Sequence, residues 1–418
     1  MRVMSLTSCI YVLLLFVVIV IPNSLQAFSF VLLALGGVLG AKARVSKAMM
    51  PLFLFYAGSL VVTCVYLVVG VMNGAPVEAV GQVLIIYIVS PILWLLFSNG
   101  AIAKFHDQKL INLIVWATVA AMVSVGVFFF LYLIGGAGAV SFFREGANLN
   151  LKDGYAGATL HVYGPLMFMT AGFFAVPQLI SSPIVRLIVL GGLMVTAVTS
   201  GRTALLLAVA VGLSVGMGLQ LRRGRGQRTG LLSPRRLITG LLSLVAVGVS
   251  LFLLERFTEI KVSTIATIHI EELFSGGGYA RTEQAAALLE GARESNGLGV
   301  GHGVGVDYNR SFKFPWRYEL VWHASLLRVG LLGALVYVSV FVYYVLSFLR
   351  AWLRREVSDA QAFFFAGFAA ALVASNTNPY LESFSMQWMF ILPVVHFLVS
   401  SRHSLSSTAD GRRAGSWR

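Results

Sequence analysis

Glu319 and His323 stand four residues apart at the head of a long apolar run, and Arg328 follows five residues later. A helix beginning near Glu319 sets the carboxylate and the imidazole on one face. At a water–membrane boundary such a pair can take a proton from a hydroxyl nucleophile. Arg328 falls about one turn deeper, and charges inside apolar spans usually mark functional positions. The plainer alternative is a solvated helix start with an arginine reaching back to the interface.

Further arginines precede this stretch. Arg202 sits in Ser200-Gly201-Arg202-Thr203, a turn between two apolar runs, where a guanidinium can clamp a phosphate or snorkel to the interface. Arg281 opens a helical pattern, and Arg293, Arg310 and Arg317 follow. Each alone reads as a solvated charge, whereas together they supply bidentate anion binders. Between them, glycines alternate from Gly297 to Gly305 around Leu298, Val300, His302 and Val304. That spacing does not fit a dinucleotide fingerprint, and reads as a flexible turn or as backbone that can approach a ligand closely. His161, His269, His302 and His323 lack metal-ligand spacing, and residues 22–24, the first outward loop, hold no acid. Neither a metal nor a cofactor is expected.

The elements that must position these groups are membrane helices. Of 418 residues, 58% are hydrophobic and only 11% charged, against about a quarter charged in soluble chains. Roughly twelve runs approach the ~20 apolar residues needed to cross hydrocarbon: 6–21, 24–41, 48–72, 80–98, 110–134, 165–180, 184–199, 203–221, 237–254, 323–349, 362–374 and 384–399. The run 362–374 is short unless residues 375–380 extend it. The expected fold is an all-α polytopic membrane protein with one large extracytoplasmic loop domain.

The net charge of +14 would suggest nucleic acid in a soluble chain. Here it follows topology. With Arg2 placed inside, alternating loops put twenty of the 31 basic residues and only four of the 17 acids on the cytoplasmic side. Every inward loop is then basic, as the positive-inside rule requires, with both termini inside. A nucleic-acid partner is not expected. Residues 1–27 also fit a signal peptide, but a second run follows at once and favours a retained helix. Cys9 and Cys64 fall inside spans and carry no redox information.

The chain therefore divides into helices 1–9 over 1–254, a large periplasmic loop over 255–322, three helices over 323–400 and a basic tail over 401–418. The loop carries a helical stretch, 279–293, with Ala285, Leu288 and Leu289 on one side, followed by aromatics and mixed charges, so an ordered cap is expected.

Several of these features recur together in one family. An arginine after Ser-Gly at an outer helix turn (Arg202), a late outward loop opening on Arg281, a Gly-Val-Gly segment, and a Leu-rich stretch ending in Gly330-x-x-Gly333 occur in that order. Over residues 199–343 the chain resembles the O-antigen ligase and O-antigen polymerase superfamily of bacterial envelope glycosyltransferases. The resemblance implies a GT-C-like bundle acting, without metal, on sugars linked to undecaprenyl diphosphate at the outer face of the inner membrane. It assigns the diphosphate to Arg202 and Arg281, with Arg310, Arg317 and Arg328 as further binders. A chain-length regulator and a flippase are the partners it implies, beside the bilayer. In the ligases a histidine followed by Asn, Ser or Gln precedes the first Gly of Gly-x-x-Gly by eleven positions. Here that position is Glu319, while His323 is followed by Ala324. The departure favours a polymerase, with a lipid-linked repeat unit as acceptor, over a ligase, whose acceptor is lipid A–core. A sugar hydroxyl would attack the anomeric carbon with inversion, and Glu319 or His323 would take the proton. A flippase or other transporter is the rival of a different class, but no internal repeat is visible.

Overall fold

A computed structural model describes residues 5–22, 25–139, 147–152, 155–160, 163–199, 203–222, 252, 256, 279–308 and 314–400. Its helices are α1 (Leu6–Val20), α2 (Gln26–Ala41), α3 (Met50–Met72), α4 (Val77–Val83), α5 (Ser90–Lys104), α6 (Asp107–Ala139), α7 (Tyr163–Ala175), α8 (Pro183–Thr199) and α9 (Thr203–Arg222). After these come α10 (Tyr279–Glu294), α11 (Val321–Leu353), α12 (Asp359–Ala374) and α13 (Trp388–Ser400). Among the described residues five stretches are long and apolar enough to cross a membrane: Lys47–Met72, Val77–Lys104, Asp107–Phe128, Ala204–Leu221 and Val321–Leu353. Shorter apolar helices fill most of the other expected runs, whereas 237–254 lies almost wholly outside the described residues. On α3, Val61, Val65, Val68 and Met72 are more than half exposed at helical spacing. Such a face is stable in hydrocarbon and not in water. The chain is a helical, membrane-embedded bundle.

One of the expected runs ends early. α7 stops at Ala175 and gives way to a 3₁₀ turn at Pro177–Leu179, because Pro177 cannot continue the helix. α12 stops at Ala374, so residues 375–380 do not extend it. Among the described residues the only sheet is an antiparallel hairpin of β1 (Ala147–Lys152) and β2 (Tyr155–Leu160), with Lys152 paired to Tyr155.

Small residues bring the helices together. Gly36 and Gly40 form a G-x-x-x-G face on α2 against α5. A methyl group at Gly40 would lie 2.0 Å from the Leu96 carbonyl oxygen. The core gathers aromatics from α7, α11, α12 and α13, among them Phe168, Tyr344, Phe368 and Trp388, all buried. Edge contacts such as Tyr344–Phe368 at 4.9 Å lock α11 onto α12.

Between α4 and α5 the helix widens into a π turn at Leu84–Val89. Side chains from other elements take up backbone carbonyls there. Gln387 Nε2 donates to Ile86 O (2.8 Å) and the Tyr56 hydroxyl to Ile88 O (2.8 Å). The π turn directs Tyr87 toward the site described next.

Candidate functional site

α10 lies across the first part of α11. Arg281, Gln284, Leu288 and Ala292 recur every three or four residues and face α11, where Leu288 joins Tyr318, Leu320, Ala324 and Leu327 in a small separate core. The expected helix is present, but Leu289 points outward, because the inner stripe is set by Leu288. Buried Gln284 accepts from both Glu319 N (2.9 Å) and Leu320 N (3.0 Å). This caps α11, whose own cap residue, Leu320, has no side-chain acceptor. α11 starts at Val321, so Glu319 stands in the turn before the helix. The shared helical face expected for Glu319 and His323 therefore does not form. Arg281 reaches that turn, with Nε 3.0 Å from Glu319 Oε2 and both side chains about one-fifth exposed (18% and 22%). His323 is half-buried in the first turn of α11.

Arg328 occupies a different network. It forms an ion pair with Glu382, the two side chains being 5% and 8% exposed, and it donates to the Trp316 carbonyl (2.7 Å). Tyr87 donates to the same carboxylate (2.8 Å). Its guanidinium is thus committed to protein groups, in contrast to the anion-binding role expected for Arg328. Arg317 stacks on Phe314 at 4.0 Å and donates to Gln82 Oε1 (2.8 Å), which also accepts from Trp316 Nε1 (2.9 Å). Burial lowers the Arg317 pKa, and the Glu382 carboxylate opposes that shift. Arg202 and Arg310 lie outside the described residues, as do His161 and His269.

The glycine segment serves the protein itself. α11 is broken at Gly330 (φ +63°, ψ −176°), which diverts its backbone hydrogen bonds. Residues 297–302 fill the break as a strap. Val300 N donates to Leu327 O, Gly301 N to Arg328 O and Leu331 N to Gly297 O, each at 2.9 Å. On its other edge the strap is tied to α3, with His302 N donating to Tyr66 O (2.9 Å) and Asn73 Nδ2 to Val300 O (2.8 Å). Gly301 adopts φ +96° directly against Gly70. The alternating glycines allow this double contact, and the expected close approach is to protein backbone. His302, buried at the end of the strap, lies 3.0 Å from the Tyr337 hydroxyl, itself 2.8 Å from Thr63. Burial, with the Arg328 charge second, lowers the His302 imidazole to about 3, so the ring is neutral.

Beneath these networks a cavity of about 180 Å³ extends between α3, α5, α11 and α13, lined mainly by apolar side chains. The arrangement thus offers a charged, mostly shielded pair at the start of α10, a wall of paired polar groups and an apolar space below. Among the described residues no group of three His, Cys, Asp or Glu could hold a metal. Sequence reasoning missed Glu382, Gln284, Gln82 and Tyr87. Only Glu382 gave a signal: it is the one acid in the turn between the last two apolar runs, while Arg328 required an anion.

Comparison with known proteins returned no matching family model, no similar curated protein and no similar solved structure.

Proposed function

We propose that the chain is a bacterial membrane glycosyltransferase of the polysaccharide-polymerase type. It transfers an undecaprenyl-diphosphate-linked glycan, without metal and with inversion, onto a second lipid-linked repeat unit. The observation that carries this reading is the Arg281–Glu319 pair, mostly shielded at 3.0 Å, which joins the start of α10 to the turn before α11. A diphosphate competes with Glu319 for the Arg281 guanidinium, since both are charged acceptors of the same fork. Binding of the donor then frees Glu319 to accept the proton of the attacking sugar hydroxyl. The new bond joins that oxygen to the anomeric carbon. The bond from the carbon to the phosphate oxygen breaks, and the diphosphate departs with its charge balanced by Arg281 and Arg202. In this reading the fold has about twelve spans with both termini in the cytoplasm. The reacting face is periplasmic in the inner membrane, where a chain-length regulator and a flippase act beside it.

The test is genetic and biochemical. Deletion should leave single repeat units on the surface acceptor, and Arg281→Ala or Glu319→Ala should reproduce it, with turnover of purified protein down by roughly 10²–10⁴-fold for Glu319→Ala. Long chains stranded on the carrier lipid would instead identify a ligase. Failure of detergent-solubilised protein to turn over lipid-linked oligosaccharide would favour a transporter. An active Glu319→Ala beside an inactive His323→Ala would move the base to His323.

A further inference from the structure

Trp322 and Phe341 line two spaces at once. On one side is the internal cavity of about 180 Å³, and on the other a groove of about 500 Å³ along α11 and the end of α12. Their rings meet edge to face at 6.3 Å, forming the wall between the two. The groove is lined by Val338, Val342, Val345 and Leu346 of α11 with Leu372 and Val373. Val342, Leu346 and Val373 are also among the exposed apolar side chains. Val342 and Leu346 belong to a helix long enough to span a bilayer, so hydrocarbon is the medium that bathes this groove.

The cavity has polar groups on its wall, and beside the hydroxyls of Ser59 and Ser325 these are the tyrosines and a glutamine, which are engaged with protein partners. Tyr87 donates to Glu382, Tyr56 to Ile88 O, and Tyr337 is bonded to Thr63 and His302. Gln387 takes the Ser90 hydroxyl (2.6 Å) and donates to Ile86 O. A water molecule needs two to four polar partners, and this lining leaves few to give. Close-packed hydrocarbon is the filler that such walls favour. We propose that cavity and groove form one site for a single acyl chain of a bilayer phospholipid, which enters from the membrane past Trp322 and Phe341. The chain lies against the wall formed by Tyr87 and Tyr337, which carry the hydrogen bonds to Glu382 and His302. The site is independent of the reaction proposed for Arg281 and Glu319.

The experiment uses the full chain in nanodiscs of phosphatidylglycerol bearing a photoactivatable diazirine on one acyl chain, with adducts mapped by peptide mass spectrometry. Adducts are expected on the inner residues Leu95, Val340 and Ile391 as well as on the lipid-facing Leu335. Val340→Trp and Ile391→Phe, each checked for a monodisperse elution profile, should abolish the remaining inner adducts and leave that at Leu335. Trp322→Ala with Phe341→Ala should increase the inner labelling. Adducts confined to Leu335 in the wild type would overturn the proposal, as would inner adducts that survive both filling variants. Unlabelled phosphatidylglycerol should dilute inner labelling in proportion. Competition by an unlabelled polyprenyl phosphate alone would give the site to an isoprenoid chain and overturn the acyl assignment.

Discussion

A guanidinium and a carboxylate that meet almost no solvent, as Arg328 and Glu382 do, are costly to desolvate and repay that cost only in each other's presence. Removing one leaves the other charged and buried. Arg328→Met should therefore destabilise the protein by on the order of 3–5 kcal/mol, and Arg328→Met with Glu382→Leu by much less. Thermal unfolding in detergent measures both; equal losses would show that the pair is not the stabilising unit. His302 makes a second prediction because its imidazole is lowered to about 3 from 6.5. The unfolded chain takes up this proton below 6.5 and the folded chain does not. Stability from burying the neutral ring is thus complete above about 6.5 and is lost as pH falls toward 3. The melting temperature should decline across that interval, and His302→Gln, which can still reach Tyr337, should flatten the decline. A slope unchanged in His302→Gln would assign the acid sensitivity to other groups.

The glycine strap and the broken α11 depend on each other, because each supplies the other's missing backbone partners. A methyl group at Gly301 would lie 2.1 Å from the Gly70 nitrogen, whereas at Gly297 nothing stands within 4 Å. Gly297→Ala carries only the left-handed strain, roughly 1–3 kcal/mol. Gly301→Ala adds a backbone clash and should expel the strap, raising hydrogen exchange at Val300 and Leu331 together. Equal exchange in the two variants would refute the coupling. The glycines were legible in the sequence, but not their partners, since Gly301 meets α3 more than 200 residues earlier in the chain. Most helices were legible, because runs of apolar residues have few other solutions in a membrane. The start of α11 at Val321 was not, being set by Gln284 from α10. The Arg281–Glu319 pair joins two residues singled out separately, while Glu382 was overlooked because only the fold brings it to Arg328.

At the scale of the molecule, charge and architecture must agree on a direction through the membrane. The span Lys47–Met72, which contains α3, runs to the turn that carries Asn73 and meets the strap, and α11 runs from the strap to Arg350 and Arg354. The strap binds the end of α3 and the first part of α11, so those two ends share one side. The opposite ends carry Lys42, Arg44 and Lys47 on one helix and Arg350, Arg354 and Arg355 on the other, and clustered cations are retained in the cytoplasm. The proposed orientation therefore places the pair Arg281–Glu319, fixed beside the strap by α10, on the periplasmic side. This orientation can be measured with single cysteines in a background of Cys9→Ser and Cys64→Ser. Ala75→Cys and Asn296→Cys should react with a membrane-impermeant maleimide in spheroplasts, and Ser46→Cys and Glu356→Cys only after permeabilisation. The reverse pattern would put Glu319 in the cytoplasm, away from any substrate carried on the periplasmic leaflet, and would end the glycosyltransferase reading whatever the activity of the Glu319 variant.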